Sequence, residues 1–239
     1  MTALAAQLRT EVVLTLRRGE SLLLVLGLPV LFLVFFTQVD VLPVGDLEPI
    51  DFLAPGILSL AVMSAAMVSL SISTGFERSY GVLKRLGSTP LGRPRLITAK
   101  TIGVVAVEVV QFAIIVPVAL LLGWDRVGGI GIALVAVMLG TIAFAGLGLV
   151  LAGTLRAEVN LAASNALYLV LLLISGMAFS IDELPGWLQA IARALPSGAL
   201  TEILRAAFTG EPVPGRAWLV LIAWAVAGPL LAMRLFRWE

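Results

Sequence analysis

The chain contains no cysteine and no histidine. Those absences remove disulfides, thiolate or imidazole metal sites, cysteine nucleophiles and Ser-His catalysis together. There is also no Gly-x-x-x-x-Gly-Lys-[Ser/Thr] run, so the chain has no Walker A phosphate cradle and is not expected to bind ATP itself. Charge is scarce: Asp, Glu, Lys and Arg make up 13% of the 239 residues, about half the share of a soluble domain. The net charge of +1 is uninformative as a total, and no nucleic-acid partner is expected. No internal repeat, low-complexity tract or cleavable signal peptide is evident.

What is present is apolar. Hydrophobic residues make up 60% of the chain, and the mean hydropathy is +1.07. Six runs are each about 20 residues or longer, enough to cross the hydrocarbon core as helix. They are Ser21–Val39, Phe52–Gly75, Ile97–Leu122, Val127–Ala152, Val159–Phe179 and Ala217–Phe236. With a cytoplasmic N-terminus, only Arg126, Arg193, Arg205 and Arg216 of the 16 basic residues fall outside. The remaining ones, 16 − 4 = 12, fall inside. The positive-inside rule then places both termini in the cytoplasm.

Three segments between these runs carry patterns of their own. In Met1–Glu20, Leu4, Leu8, Val12 and Leu16 recur every four residues among charged ones. This suits an amphipathic helix at the cytoplasmic interface. Between the second and third runs, Tyr80, Leu83 and Leu86 are spaced by three, with Glu77, Arg78, Lys84 and Arg85 charged. That spacing predicts a short cytosolic surface helix ending near Gly87 and Pro90. In Ser180–Arg216, Pro185 opens one short helix, Pro196 ends it, and Leu200, Ile203, Leu204 and Phe208 stripe a second. Neither is long enough to span, so both are expected in the outer interface or as a re-entrant hairpin, with Trp187 at headgroup depth.

The run Glu77-Arg78-x-x-Gly81-x-Leu83-Lys84-x-Leu86-x-x-Thr89-Pro90 resembles the coupling-helix region of ABC type 2 permeases, a family of drug, antibiotic and polysaccharide exporters. Ser175-Gly176-Met177-Ala178-Phe179, Leu184-Pro185-x-Trp187-Leu188, Pro196 and Leu204-Arg205 resemble its late signature. Ser79-Tyr80 departs from the acidic residue many members carry before the glycine. The resemblance implies an all-α membrane protein of the ABC-2, type V exporter kind. It implies a single permease domain over residues 1–239, with an interfacial helix (1–20), six spans, a cytosolic coupling helix (76–90) and outer re-entrant helices (180–215). It implies that Glu77, Arg78, Gly81, Leu83, Lys84 and Leu86 couple to a separate ABC ATPase subunit, present twice and carrying the ATP and Mg. It further implies a second permease subunit, identical or homologous, and a place in the plasma membrane of a bacterial cell.

Polar and adaptable groups within the spans are the other candidates. Glu108 lies in mid-span with Gln111 one turn on. An ionised carboxylate there costs about 2.5 kcal/mol or more, so it is expected to face protein or a wet cavity, or be protonated. Two readings stand: a buried packing hydrogen bond, or a substrate or proton site. On the fifth run Asn165, Tyr168, Leu172, Ser175 and Phe179 are read as one face, and on the second Ser59, Met63, Ala66, Met67 and Leu70. Methionine and aromatic side chains make adaptable apolar walls. The resemblance places these two helices at the permease dimer interface, where a small lipophilic substrate would pass along Met63, Met67, Asn165, Tyr168, Ser175 and Phe179. Plain packing through small residues is the alternative. Gly140, Gly146, Gly148 and Gly153 on the fourth run are expected to let helices approach closely.

Two other function classes are weighed. A proton-coupled secondary transporter would use Glu108, but no repeat is visible. An intramembrane enzyme lacks the usual nucleophile, base and metal groups.

Overall fold

A computed structural model describes residues 19–39, 48–87, 92–125, 128–177 and 179–236. Among these the chain is helical throughout, with no strand. Helix α1 spans Gly19–Gln38. Helix α2 runs Pro49–Ser79, opening on a proline at its first position, with a π-helical stretch at Ser64–Ser69. A short helix α3, Val82–Gly87, precedes α4, Gly92–Leu121. Then follow α5 (Ile130–Thr154), α6 (Ala157–Ile174), α7 (Gly186–Ala194), α8 (Pro196–Thr209) and α9 (Gly215–Leu235). The expected interfacial helix at 1–20 lies outside the described residues except for its last two, which begin α1.

Among the described residues, five segments are long and apolar enough to cross a membrane: α2, Ile97–Leu121 of α4, α5, α6 and α9. Within α1, the segment Gly27–Gln38 is also apolar, though shorter. Helix ends shift from the expected bounds for local reasons. Helix α6 stops at Ile174, because Gly176 turns the chain with φ +74°, a conformation natural to glycine. Pro196 opens α8 at the position where a missing N–H costs nothing.

Helix α2 is the hub. Nearly all of its upper and middle turns are buried, from Ile50 through Met67. By contrast α4, α6 and α9 bury one stripe each and expose residues such as Val109, Leu169 and Leu219. In a bilayer that pattern needs no explanation, because hydrocarbon solvates the outer faces as well as protein does.

The glycines of α5 set the closest approaches. A Cβ at Gly146 would stand 2.3 Å from the Gly228 carbonyl carbon of α9, and one at Gly148 would stand 2.7 Å from the Met67 carbonyl of α2. Gly140 meets Leu200 of α8 and Gly153 meets Phe236 in the same manner. Helix α5 therefore touches α2, α8 and α9 backbone to backbone or nearly so, as the four glycines led us to expect.

Candidate functional site

At the end of the bundle that carries Glu77, the expected surface helix divides into two parts. Glu77 and Arg78 belong to the last turns of α2, which continues to Ser79. Gly81, at φ +70°, then breaks the helix, and α3 carries Leu83, Lys84 and Leu86. Leu83 is fully buried and pins α3 to the bundle, whereas Tyr80, Val82, Lys84 and Arg85 are exposed. Tyr80 stacks on Phe76.

Glu77 and Arg78 are not the free surface residues that the sequence pattern suggested. Both are half-buried. Glu77 Oε2 lies 2.7 Å from Nζ of Lys100, itself buried on α4. Arg78 Nη2 donates to the Leu155 carbonyl in the turn between α5 and α6. The end of α2 is thereby tied to α4 on one side and to the α5–α6 turn on the other.

About two turns deeper, α2 and α6 share a polar contact that sequence reasoning missed. Asn160 Nδ2 donates to the Ser71 carbonyl at 2.8 Å, and Ser71 Oγ donates to Asn160 Oδ1 at 2.7 Å. Ser164 Oγ lies 3.0 Å from Ser71 Oγ. All three side chains are fully buried. Gly75 is what admits the amide, since a Cβ there would lie 2.6 Å from Asn160 Nδ2. The available signal was the set of small polar residues four apart on two apolar runs, Ser71 with Gly75 and Asn160 with Ser164.

The expected pathway residues separate. Met63 and Met67 are fully buried within the protomer. Tyr168 is buried toward the bundle, while Asn165 is exposed and donates to its own Leu161 carbonyl. Ser175 is buried and donates to Ser197 Oγ of α8 at 2.5 Å. Phe179 lies past the end of α6 and is exposed. Glu108 is buried with both carboxyl oxygens within 2.9 Å of Thr141 Oγ1 on α5, and Gln111 is buried beside it.

At the opposite end of the bundle, Arg205 of α8 is the organising side chain. Its Nη2 donates to the Gly176 carbonyl at 2.7 Å, and the guanidinium sits 3.8 Å from the Phe52 ring centroid. Burial pulls Arg205 down to about 10, opposed by Glu202, Asp182 and Glu211, so it stays cationic at neutral pH. On the surface, Asp182, Arg193, Glu202 and Arg216 form a chain of ion pairs that links the turn before α7 to α7, α8 and α9.

Thus an apolar helical bundle is tied by polar contacts at one end and clamped by Arg205 at the other. Residues 2–209 match the ABC-2 type transporter family. The chain belongs to that family. It is also similar to a daunorubicin resistance ABC transporter permease protein of Streptomyces coeruleorubidus, at 28% identity over 227 residues, covering 88% of this chain and 77% of the relative. As an ABC-2 type protein with several apolar helices, it is a multi-pass membrane protein and a transporter permease subunit. Such a subunit is a membrane component of a transporter.

Proposed function

We propose that this chain is the permease of an ABC exporter, working as a dimer that encloses the substrate path and driven by two copies of a separate ATPase subunit. ATP and Mg would sit on that partner. The substrate is a lipophilic drug, antibiotic or lipid. The observation that carries this reading is the family match over residues 2–209, taken with the drug-resistance permease to which the chain is similar. Helix α1, at 20 residues, completes six spans with the five apolar ones. The basic residues favour cytoplasmic termini in a bacterial plasma membrane.

In this reading α3 meets the ATPase through Lys84 and Arg85, with Gly81, Leu83 and Leu86 setting its angle. Glu77 and Arg78 pass the push into the bundle rather than receive it directly, since they bind Lys100 and Leu155. The path runs beside α6, past Asn165, Tyr168, Ser175 and Phe179. Met63 and Met67 join it only when α6 draws away from α2 and breaks the Ser71–Asn160 contact. Glu108 acts in packing.

The test is reconstitution. The permease is co-expressed with a candidate ABC ATPase subunit from the same cell, purified through a tag on the permease, and placed in proteoliposomes with daunorubicin as probe. Stoichiometric ATPase and drug-stimulated hydrolysis are expected. A permease that purifies alone and moves drug on a proton gradient without ATP would replace this reading with a secondary transporter.

A further inference from the structure

Helix α2 is not regular along its length. Between Pro49–Met63 and Leu70–Ser79 lies the π-helical stretch Ser64–Ser69, where the Leu70 N–H reaches back five residues to the Ala65 carbonyl. A bulge of this kind takes up one residue more than the α-helical turn it replaces, and it is a place where helices bend.

Different partners hold the two flanking segments. Pro49–Met63 packs on α1 and α8, with Arg205 over the Phe52 ring and the Met177 carbonyl pressed against Gly56. Leu70–Ser79 packs on α5 and α6, and Ser71 bonds to Asn160 and Ser164. Hydrogen bonds between neutral groups on membrane helices are weak, because separated helices find other partners. This contact can therefore open and re-form within a cycle. The buried Glu77–Lys100 pair is costly to part, so the start of α4 moves with the end of α2.

At the bulge itself α5 interposes no side chain. Gly148 faces the Ala66 and Met67 carbonyls, and a Cβ there would stand 2.7 Å from the Met67 oxygen. Two backbones in contact can turn on one another with no interlocked side chains to undo. We propose that Ser64–Ser69, seated on Gly148, is the hinge of α2. Leu70–Ser79 and α3 swing on it together and part Ser71 from Asn160, while Pro49–Met63 stays clamped. This rests on the exporter reading above, in which a push on α3 separates α2 from α6, and it locates where α2 bends.

The test uses the permease–ATPase complex in proteoliposomes with daunorubicin as probe. Removing Val68, a half-buried residue of the bulge, should return α2 to continuous α-helix with both flanks in register. Capture of the ATPase should be kept and drug-stimulated hydrolysis lost. Val68→Ala keeps the residue count, and with it the bulge, and should turn over as wild type does. Equal loss in Val68→Ala would assign the effect to the side chain and overturn the hinge.

A second variant does not depend on how the deletion folds. Ser71→Cys combined with Ser164→Cys places two thiols where the hydroxyl oxygens lie 3.0 Å apart, in a chain with no other cysteine. Mild oxidation should stop drug-stimulated hydrolysis, and a reductant should restore it. Full turnover in the oxidised pair, or in a deletion variant that still captures the ATPase, would overturn the hinge and leave the exporter reading intact. A wild-type complex without ATP-dependent transport would overturn both.

Discussion

Lys100 Nζ lies 2.7 Å from Glu77 Oε2, and this contact joins α4 to the last turns of α2. Lys100 is almost wholly buried and Glu77 mostly so. Removing one partner of such a pair leaves a buried charge poorly compensated, at a cost of roughly 3 kcal/mol. Glu77→Ala should therefore lower the thermal midpoint of the purified permease. Lys84→Ala and Arg85→Ala, on exposed positions of α3, should change stability by less than about 0.5 kcal/mol. They should nevertheless weaken capture of the ATPase subunit. If Glu77→Ala is as stable as wild type while the α3 changes unfold the protein, the division of labour drawn here is reversed.

The contact between α5 and α9 has no room for a side chain at Gly146. A Cβ there would lie 2.6 Å from the Pro229 nitrogen and 2.3 Å from the Gly228 carbonyl carbon. Backbone cannot step aside as a flexible side chain can, so Gly146→Ala should cost about 1–3 kcal/mol or more. Gly131, on the same helix, has nothing within 4 Å of the corresponding position. Gly131→Ala should be neutral or slightly stabilising, since alanine is the better helix former. Thermal unfolding of the two variants in one detergent decides this. Equal midpoints would mean that α5 and α9 do not meet as described.

Orientation can be read with the same cysteine-free chain. Glu183 and Lys84 are both exposed, at opposite ends of the bundle. A cysteine at Glu183 should react with an impermeant maleimide added to intact cells, and a cysteine at Lys84 only after lysis. The opposite pattern would put the termini outside and leave α3 unable to reach a cytosolic ATPase.

The spans were legible because an apolar run of spanning length has few alternatives in water. The glycines of α5 were legible because small residues have one main use between membrane helices. Pro196 marked a helix boundary in the sequence and marks it in the fold. The faces were harder. In a soluble protein polarity separates inside from outside, but in a bilayer both sides of a helix are apolar. Asn165 and Tyr168 are three residues apart and read as neighbours, yet one is exposed and the other buried. Nothing local distinguished them, nor marked Met63 and Met67 as enclosed. Glu77 looked like surface charge because its partner, Lys100, is 23 residues away, beyond the range of any periodicity.

The outer end yields the last prediction. Gly176 turns the chain back after α6, and the following Met177 carbonyl is pressed so close to Gly56 of α2 that a Cβ there would lie 2.3 Å away. Arg205 holds this turn from the α8 side, donating to the Gly176 carbonyl and, more distantly at 3.5 Å, to the Phe52 carbonyl. Its guanidinium also lies over the Phe52 ring. A hydrogen bond from a charged donor and a buried cation–π contact together stabilise by about 2–4 kcal/mol. Arg205→Met keeps the length and loses both, so it should lower the thermal midpoint. It should also raise the reactivity of a cysteine at Phe179 toward an impermeant reagent from outside. Lysine keeps the charge but not the planar fork that serves two carbonyls and a ring at once, so Arg205→Lys should recover less than half of either effect. A lysine variant indistinguishable from wild type in both measurements would mean that charge alone, and not the clamp, holds the outer end.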